Sequence, residues 1–520
     1  MKLINLDEVN ELTGDIIVFG FSEKHLLEFF KAGRFDVNVL GIIEENQRHQ
    51  GIKTVCGRKI NVVSPDDAAS LYEDGCKFLI MNDYYEEAYI TVVQDVVYKL
   101  LGKEDVIIYY FLDKESRIYH DYCRKYENTP LDDVIVFRSG PHASQYVRGM
   151  DYSDNARALF EYMLRAGLNK KYRLIWLVKK PEDFVEIEEA NSNVKFISFD
   201  WSVSETAEKR DEYYRAICLA KYIFMTDAYG FCRYARKDQI RVQLWHGCGF
   251  KTRTTFSRCE HRYEYNIVIS EIYKKIHQEI YGLRPDQVLI TGYPKVDYLF
   301  HPAEEWIEQF AIPKAKKYIF WLPTFRAPLD QLNELTEKEA EGETGLPIVG
   351  KVKELQCLNQ LFEEHDAVMV IKLHPFQNKE WIHMGNDLKQ NIVLLTNDDL
   401  VDAGLEINQI LGHADALISD YSSAAVDYLV LDRPEAFTLD DVEVYEKSRG
   451  FVFDPIKKWL PGKELYNFDD FYQYVEDVLN GFEECAEKRR LLSGKMQKWA
   501  NDCNSERVCS TFGIGNSSDC

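Results

Sequence analysis

Three short runs carry side chains suited to phosphate chemistry, and each follows an apolar stretch. The first is Leu417-Ile418-Ser419-Asp420-Tyr421-Ser422-Ser423-Ala424-Ala425-Val426-Asp427. It reads as a buried strand, a tight polar turn and the first turn of a helix. The first amides of a helix have no intrahelical partner and sit at the positive end of its dipole, so they suit an anion. Ser422 and Ser423 add hydroxyl donors there, and capping the helix is compatible with that task. The second run, Gln243-Leu244-Trp245-His246-Gly247-Cys248-Gly249-Phe250-Lys251, places a histidine after a strand and next to glycines that let the backbone turn sharply. Histidine moves protons near neutral pH. The third, Val370-Ile371-Lys372-Leu373-His374-Pro375, sets Lys372 and His374 two apart, on one side of an extended segment.

Further strand ends point the same way. Pro323-Thr324-Phe325-Arg326 offers Arg326 as a bidentate phosphate fork. Arg449-Gly450-Phe451 offers Arg449 in a loop. Gly292-Tyr293-Pro294-Lys295 brings Tyr293 toward the same cleft, although a tight inter-domain turn explains that run equally well. Together these residues predict a phosphorylated, nucleotide-linked substrate. His246 and His374 are the candidate catalytic groups. Arg326, Lys372, Ser419, Asp420, Ser422, Ser423 and Arg449 are the candidate donor-phosphate ligands, and Gly247, Lys251 and Tyr293 the candidate acceptor or cleft residues.

The elements needed to hold such residues recur along all 520 residues, a length that implies several domains. Apolar strands alternate with amphipathic helices, the signature of parallel α/β units. Asp15–Phe19, Val37–Ile43, Lys77–Met81 and Val106–Phe111 are the predicted strands of a Rossmann-like first domain over 1–125. A second domain spans 131–300, with strands at Asp132–Phe137, Leu174–Val178, Lys221–Thr226, Val242–Leu244, Asn266–Ile269 and Val288–Ile290. A third spans 301–500, with strands at Tyr318–Leu322, Ala367–Leu373, Ile392–Leu395, Leu417–Ser419 and Glu435–Thr438. The acidic stretch Leu329–Thr344 reads as a solvated loop, and 501–520 as a disordered tail. In the first domain the turn Gly20-Phe21-Ser22-Glu23-Lys24 holds one of the three glycines of a dinucleotide fingerprint. Glu44 ends the second strand, as a ribose-binding acid would, but strand-end acids are common, and no cofactor is assigned to this domain.

Composition narrows the partners. A formal net charge of -23 argues against a nucleic-acid footprint, which needs a basic face. A few cations in a cleft still dominate locally, because exposed charges are screened beyond about 8–10 Å. The 12 cysteines form no Cys-x-x-Cys pair or zinc-finger spacing, which favours reduced thiols. Cys503, Cys509 and Cys520 fall in the polar tail, where exposure is expected. No secretory signal or bilayer-spanning apolar run is visible. No cofactor is required. A divalent cation is compatible with diphosphate chemistry, but no carboxylate-rich metal site stands out.

Taken in order, Trp245-His246-Gly247, Gly292-Tyr293-Pro294, Pro323-Thr324-Phe325-Arg326, Lys372-Leu373-His374-Pro375, Ser419-Asp420-Tyr421-Ser422-Ser423 and Arg449-Gly450-Phe451 resemble the CDP-glycerol glycerophosphotransferase family of teichoic-acid synthesis, over roughly residues 135–460. The resemblance implies a GT-B-like pair of Rossmann-type domains, here preceded by the additional Rossmann-like one. It implies transfer of a polyol phosphate, glycerol phosphate foremost, from a CDP-linked donor to a hydroxyl of a lipid-linked or glycan acceptor, with release of CMP. It places the protein in the cytoplasm, in peripheral contact with the inner face of the membrane. The family's two motif histidines correspond to His246 and His374. Members commonly follow His-Gly with a small or hydroxyl residue and then Pro-Leu-Lys. Cys248-Gly249-Phe250-Lys251 stands here instead, a departure expected to bear on the acceptor more than on the donor. A nucleotide-sugar glycosyltransferase and a non-catalytic nucleotide-binding scaffold are the rival readings.

Overall fold

The computed structural model describes residues 2–515 except 7–11, 32–35, 46–48, 56, 82–86, 104, 113, 141–146, 227–228, 233–235, 237, 253–261, 324–341, 375–381, 383–390 and 449. Arg326 and Arg449, and most of the acidic stretch, therefore lie outside the described residues. Three sheets follow one another along the chain. The first contains β1 (Lys2–Asn5), β2 (Thr13–Phe19), β3 (Asp36–Ile43), β4 (Gly51–Val55), β5 (Arg58–Val63), β6 (Lys77–Met81) and β7 (Ile107–Phe111), in the order β1-β7-β6-β2-β3-β5-β4. All neighbours are parallel except the β4–β5 hairpin.

The second sheet is built from β8 (Asp132–Ser139), β9 (Arg173–Val178), β10 (Val194–Ser198), β11 (Ala220–Thr226), β12 (Ile240–Gln243), β13 (Tyr265–Val268) and β14 (Val288–Ile290), ordered β10-β9-β8-β11-β12-β13-β14. The third has β15 (Lys317–Trp321), β16 (Ala367–Lys372), β17 (Ile392–Leu395), β18 (Ala416–Ser419), β19 (Glu435–Thr438) and β20 (Lys463–Leu465), ordered β17-β16-β15-β18-β19-β20. Both are wholly parallel. Strands such as Ala367–Lys372 are buried on both faces, which is why they read as continuous apolar runs. Strand order reverses between β8 and β11 and between β15 and β18. In open α/β sheets, ligands bind at the carboxyl ends of strands near such reversals.

One apolar core runs from the second sheet into the third, joining Phe137, Trp176 and Phe224 to Phe320, Val370 and Phe437. Polar contacts lock the same junction. Arg157, on the helix Asp154–Arg165, bonds Glu161 (2.8 Å) and the Gly404 carbonyl (2.6 Å) and pairs with Glu406 (3.7 Å). The helix Lys114–Tyr126, at the expected boundary of the first domain, sends Tyr119 and Tyr126 into the core beneath the second sheet, against Tyr213 and Tyr214.

The predicted disordered tail is a correction. Asn504–Thr511 is a helix, and it docks back on the second sheet's unit. The buried Asp297 carboxylate accepts four hydrogen bonds from it: the Asn504 amide (3.0 Å) and Nδ2 (2.8 Å), and the Ser505 amide (2.8 Å) and Oγ (2.6 Å). Val508, Cys509 and Ile514 are buried, so Cys509 is not the exposed thiol its polar neighbours suggested. Polar residues at the cap hid a helix whose few apolar positions are all used. Residues 516–520 lie outside the described set.

Candidate functional site

His246 stands just past the carboxyl end of β12, on a loop whose backbone is tightly held. Trp245 adopts a left-handed φ of 56°. Its amide donates to Gln243 Oε1 (2.9 Å), and its carbonyl accepts from Asn155 Nδ2 (2.8 Å). The indole sits 4.4 Å from the imidazole, centroid to centroid, while His246 itself is exposed. Gly247 has a φ of 142°, and a Cβ there would lie 2.5 Å from Ser423 Oγ. Glycine is thus required both by conformation and by the close approach of the third sheet's unit. The motifs holding His246 and Ser423 touch across the cleft.

Ser422 caps the helix Ser423–Tyr428, its Oγ accepting from the Ala424 amide (3.3 Å). This helix has only 6 residues, so the turn offers hydroxyls and first amides rather than a long dipole. Ser419 and Asp420 are buried at the end of β18. Tyr421 packs on Phe451 (4.7 Å) and Tyr445 (4.8 Å). Phe451 in turn forms a bridge with Lys251, flanked by hydrogen bonds from Val452 N to Phe250 O (2.9 Å) and from Thr252 N to Gly450 O (3.3 Å). The segment carrying Lys251 and the one following position 449 are therefore laced together over the serine turn.

Lys372 ends β16 almost fully buried, and desolvation pushes its ammonium down to about 8, against the opposing pull of Glu406. His374 opens onto the cleft. The crowding walls and then the positive charges of Lys372 and Lys251 hold its imidazole below the usual range, with Asp420 acting in the other direction. The imidazole is therefore neutral near pH 7 and can donate one N–H. These effects place Lys251, Lys372, His374 and Asp420 within one electrostatic neighbourhood drawn from both units.

This site is organised by Lys295 and Asp427, which fall in the runs after β14 and β18, and by Asp154 and Glu406, which no motif marks. Lys295 leaves the turn after β14, and its Nζ reaches Asp154 and Asp427 (3.4 Å each) and the His246 carbonyl (2.5 Å). Desolvation alone would lower its pKa, but the two carboxylates hold it above the usual lysine range. Burial pushes Asp427 up to about 6 and Glu406 up to about 7. The Lys295 backbone amide donates to Asn155 Oδ1 (3.1 Å). The only legible signal was the chemistry of a lysine after Gly-Tyr-Pro.

Tyr293 is a correction. It is fully buried, its hydroxyl 3.0 Å from Cys248 Sγ, so it supports the loop from behind and does not line the cleft. Cys248 is buried with it and lies 3.7 Å from His277 Nε2, while His277 Nδ1 is 2.7 Å from Asn266 Oδ1. Cys248, one residue of that departure, thus belongs to the loop's buried support. In the first domain, Glu44 accepts the Phe21 amide (2.8 Å), a use internal to the Gly20 turn. Among the described residues no group of three or more His, Cys, Asp or Glu side chains is placed to hold a metal ion. Among those residues no helix is long and apolar enough to cross a membrane.

Comparison with known proteins bears on this geometry. Residues 132–512 match the family described as CDP-Glycerol:Poly(glycerophosphate) glycerophosphotransferase. The teichoic acid ribitol-phosphate polymerase TarK of Staphylococcus aureus is 28% identical over 67% of this chain and 67% of its own length. The teichoic acid poly(glycerol phosphate) polymerase of Staphylococcus epidermidis is 25% identical over 82% of this chain, which spans 57% of that relative. The solved wall teichoic acid polymerase TagF superposes with a TM-score of 0.57 at 19% identity, covering 82% of this chain and 97% of that one, which supports the fold.

Proposed function

The chain belongs to the CDP-Glycerol:Poly(glycerophosphate) glycerophosphotransferase family, and from that premise we propose that it transfers a polyol phosphate, glycerol phosphate foremost, from a CDP-linked donor to a hydroxyl of a lipid-linked or glycan acceptor at the inner membrane face. His246 accepts the acceptor's hydroxyl proton as that oxygen attacks the distal phosphorus of the donor. The bond from this phosphorus to the bridging oxygen breaks, and CMP leaves with the bridging oxygen. Lys372 offsets the charge gathering on the departing phosphate, neutral His374 donates a hydrogen bond, and Ser422 and Ser423 hold non-bridging oxygens. Arg326 and Arg449 join the donor site on the strength of their motifs alone. Such transfer depends chiefly on alignment and charge stabilisation, so a preorganised cleft supplies most of what is needed.

The observation that carries this reading is the contact of Gly247 with Ser423, which puts the proton acceptor's loop against the phosphate turn. The test is incubation with CDP-glycerol and CDP-ribitol, with and without a lipid-linked acceptor. CMP release that requires acceptor is expected. Release of a nucleoside diphosphate from a nucleotide sugar would instead assign glycosyl transfer, and binding without turnover a scaffold.

A further inference from the structure

An ammonium has three N–H donors, and Lys295 has three acceptors around it: Asp154, Asp427 and the His246 carbonyl. Its side chain is 11% exposed, and Asp427 is 1% exposed. Asp154 comes from the second sheet's unit, whereas Asp427 lies on the helix Ser423–Tyr428 of the third. The pair Lys295–Asp427 therefore crosses between the units. A second tie runs through Asn155, which accepts from the Lys295 amide and donates to the Trp245 carbonyl. The third contact is steric: a Cβ at Gly247 would sit 3.6 Å from Lys295 Nζ as well as against Ser423.

Stability alone does not account for this cluster. Two carboxylates and one ammonium leave net negative charge in a dry place, and apolar residues of similar volume generally serve a core as well or better. What the cluster does achieve is a fixed relation between one backbone carbonyl, that of the proposed base, and one helix, that of the proposed donor turn.

We propose that Lys295 is a positioning residue for the transfer reaction, clasping the His246 backbone to Asp427 so that base and donor turn are set as one unit. The inference rests on the reading of His246 as the base. Lys295 touches neither reactant. Its loss leaves donor binding nearly intact and misaligns the imidazole, and misplacement of about 1 Å is enough to slow a reaction roughly 100-fold.

The test compares full-length wild type with Lys295→Met, Lys295→Arg and Asp427→Asn. Three readouts are used: CMP release, CDP-glycerol affinity by calorimetry, and amide hydrogen exchange over residues 244–250. Lys295→Met is expected to lower kcat roughly 10- to 100-fold, with donor Kd within about threefold and faster exchange confined to that loop. Lys295→Arg, which keeps the charge, should recover part of kcat. Should Lys295→Met fail to fold, Asp427→Asn retains the Asp154 contact and should still lower kcat at constant donor Kd. Wild-type kcat in Lys295→Met with unchanged loop exchange would overturn the clasp. So would a kcat loss matched by an equal loss of folded protein in thermal melts. A wild type that releases no CMP from any CDP-polyol would sink the functional reading instead, and the exchange experiment would still judge the clasp.

Discussion

Donor binding should draw a proton from solution at pH 8. Desolvation sets Lys372 at about 8 in the free protein, so at that pH about half of the molecules carry the ammonium. A diphosphate in contact raises the pKa by a further one to three units, as an opposite charge within about 4–6 Å does. The group then becomes almost fully protonated, and each binding event takes up about half a proton at pH 8 but only a few hundredths near pH 6.5. The donor's own phosphodiester groups are ionised far below this range and contribute nothing. His374 starts too low to contribute at pH 8, and Glu406, pushed up to about 7, would respond nearer neutrality. The sign follows from the linkage: the complex binds more protons than the free partners, so affinity weakens as pH rises through 8. The assay is calorimetry of CDP-glycerol binding at fixed pH in buffers of different ionisation enthalpy, whose slope counts protons. Lys372→Arg is the control, because a guanidinium is always charged and removes the uptake while keeping the cation. A zero or negative slope in the wild type at pH 8, or an unchanged slope in Lys372→Arg, would refute the placement of Lys372 against the diphosphate.

Three further outcomes follow from the geometry. His246→Ala should reduce CMP release roughly 10²- to 10⁴-fold, the usual worth of a general base, with calorimetric donor affinity unchanged; equal turnover in mutant and wild type removes it as the base. Gly247→Ala forces a left-handed backbone on a residue with a Cβ and drives that Cβ into Ser423, so about 1–3 kcal/mol of strain and a marked loss of turnover are expected, and a wild-type rate in steady-state kinetics would show that the two loops do not touch. Asp297→Ala strips four hydrogen bonds from the cap of the helix Asn504–Thr511. It should destabilise the protein by about 3 kcal/mol in urea unfolding and expose the C-terminal segment to limited proteolysis, whereas a segment as resistant as in wild type would argue against that docking.

The alternating architecture was readable because parallel strands buried on both faces leave uninterrupted apolar runs, as in Ala367–Lys372, and because polar residues that end them stand out. The same contrast exposed Trp245-His246-Gly247, Lys372-Leu373-His374 and Ser422-Ser423, and the structure brings the first and last of these into contact. Less was visible where a residue's task depends on a distant partner. Lys295, Asp154 and Asp427 meet from three separate regions of the chain, and no periodicity records such a meeting. Tyr293 looked like a cleft residue from its place after a strand, but it turns inward, and local spacing does not encode that choice. The C-terminal helix was missed because its capping residues, Asn504 and Ser505, resemble a polar tail until Asp297 is placed beneath them. The four-residue edge strand β1 was too short to give a pattern of its own.

Cys248 sharpens what the site must be. Thiol, imidazole and amide in the order Cys248, His277 and Asn266 have the outline of a nucleophilic triad. Burial argues the opposite. Cys248 is 2% exposed and His277 4%, and desolvation pushes the thiol up to about 12, so the thiolate needed for attack is absent near neutral pH. With Tyr293 closing the group from the other side, these side chains form a floor under the loop whose outer surface carries His246. The His246 imidazole is exposed on that surface, and the atoms that fix its backbone lie on two different units. With His246 as the proposed base, chemistry at this cleft requires both units to be seated together. That fits direct transfer between two bound substrates better than a covalent enzyme intermediate, for which one well-placed nucleophile on a single unit would suffice.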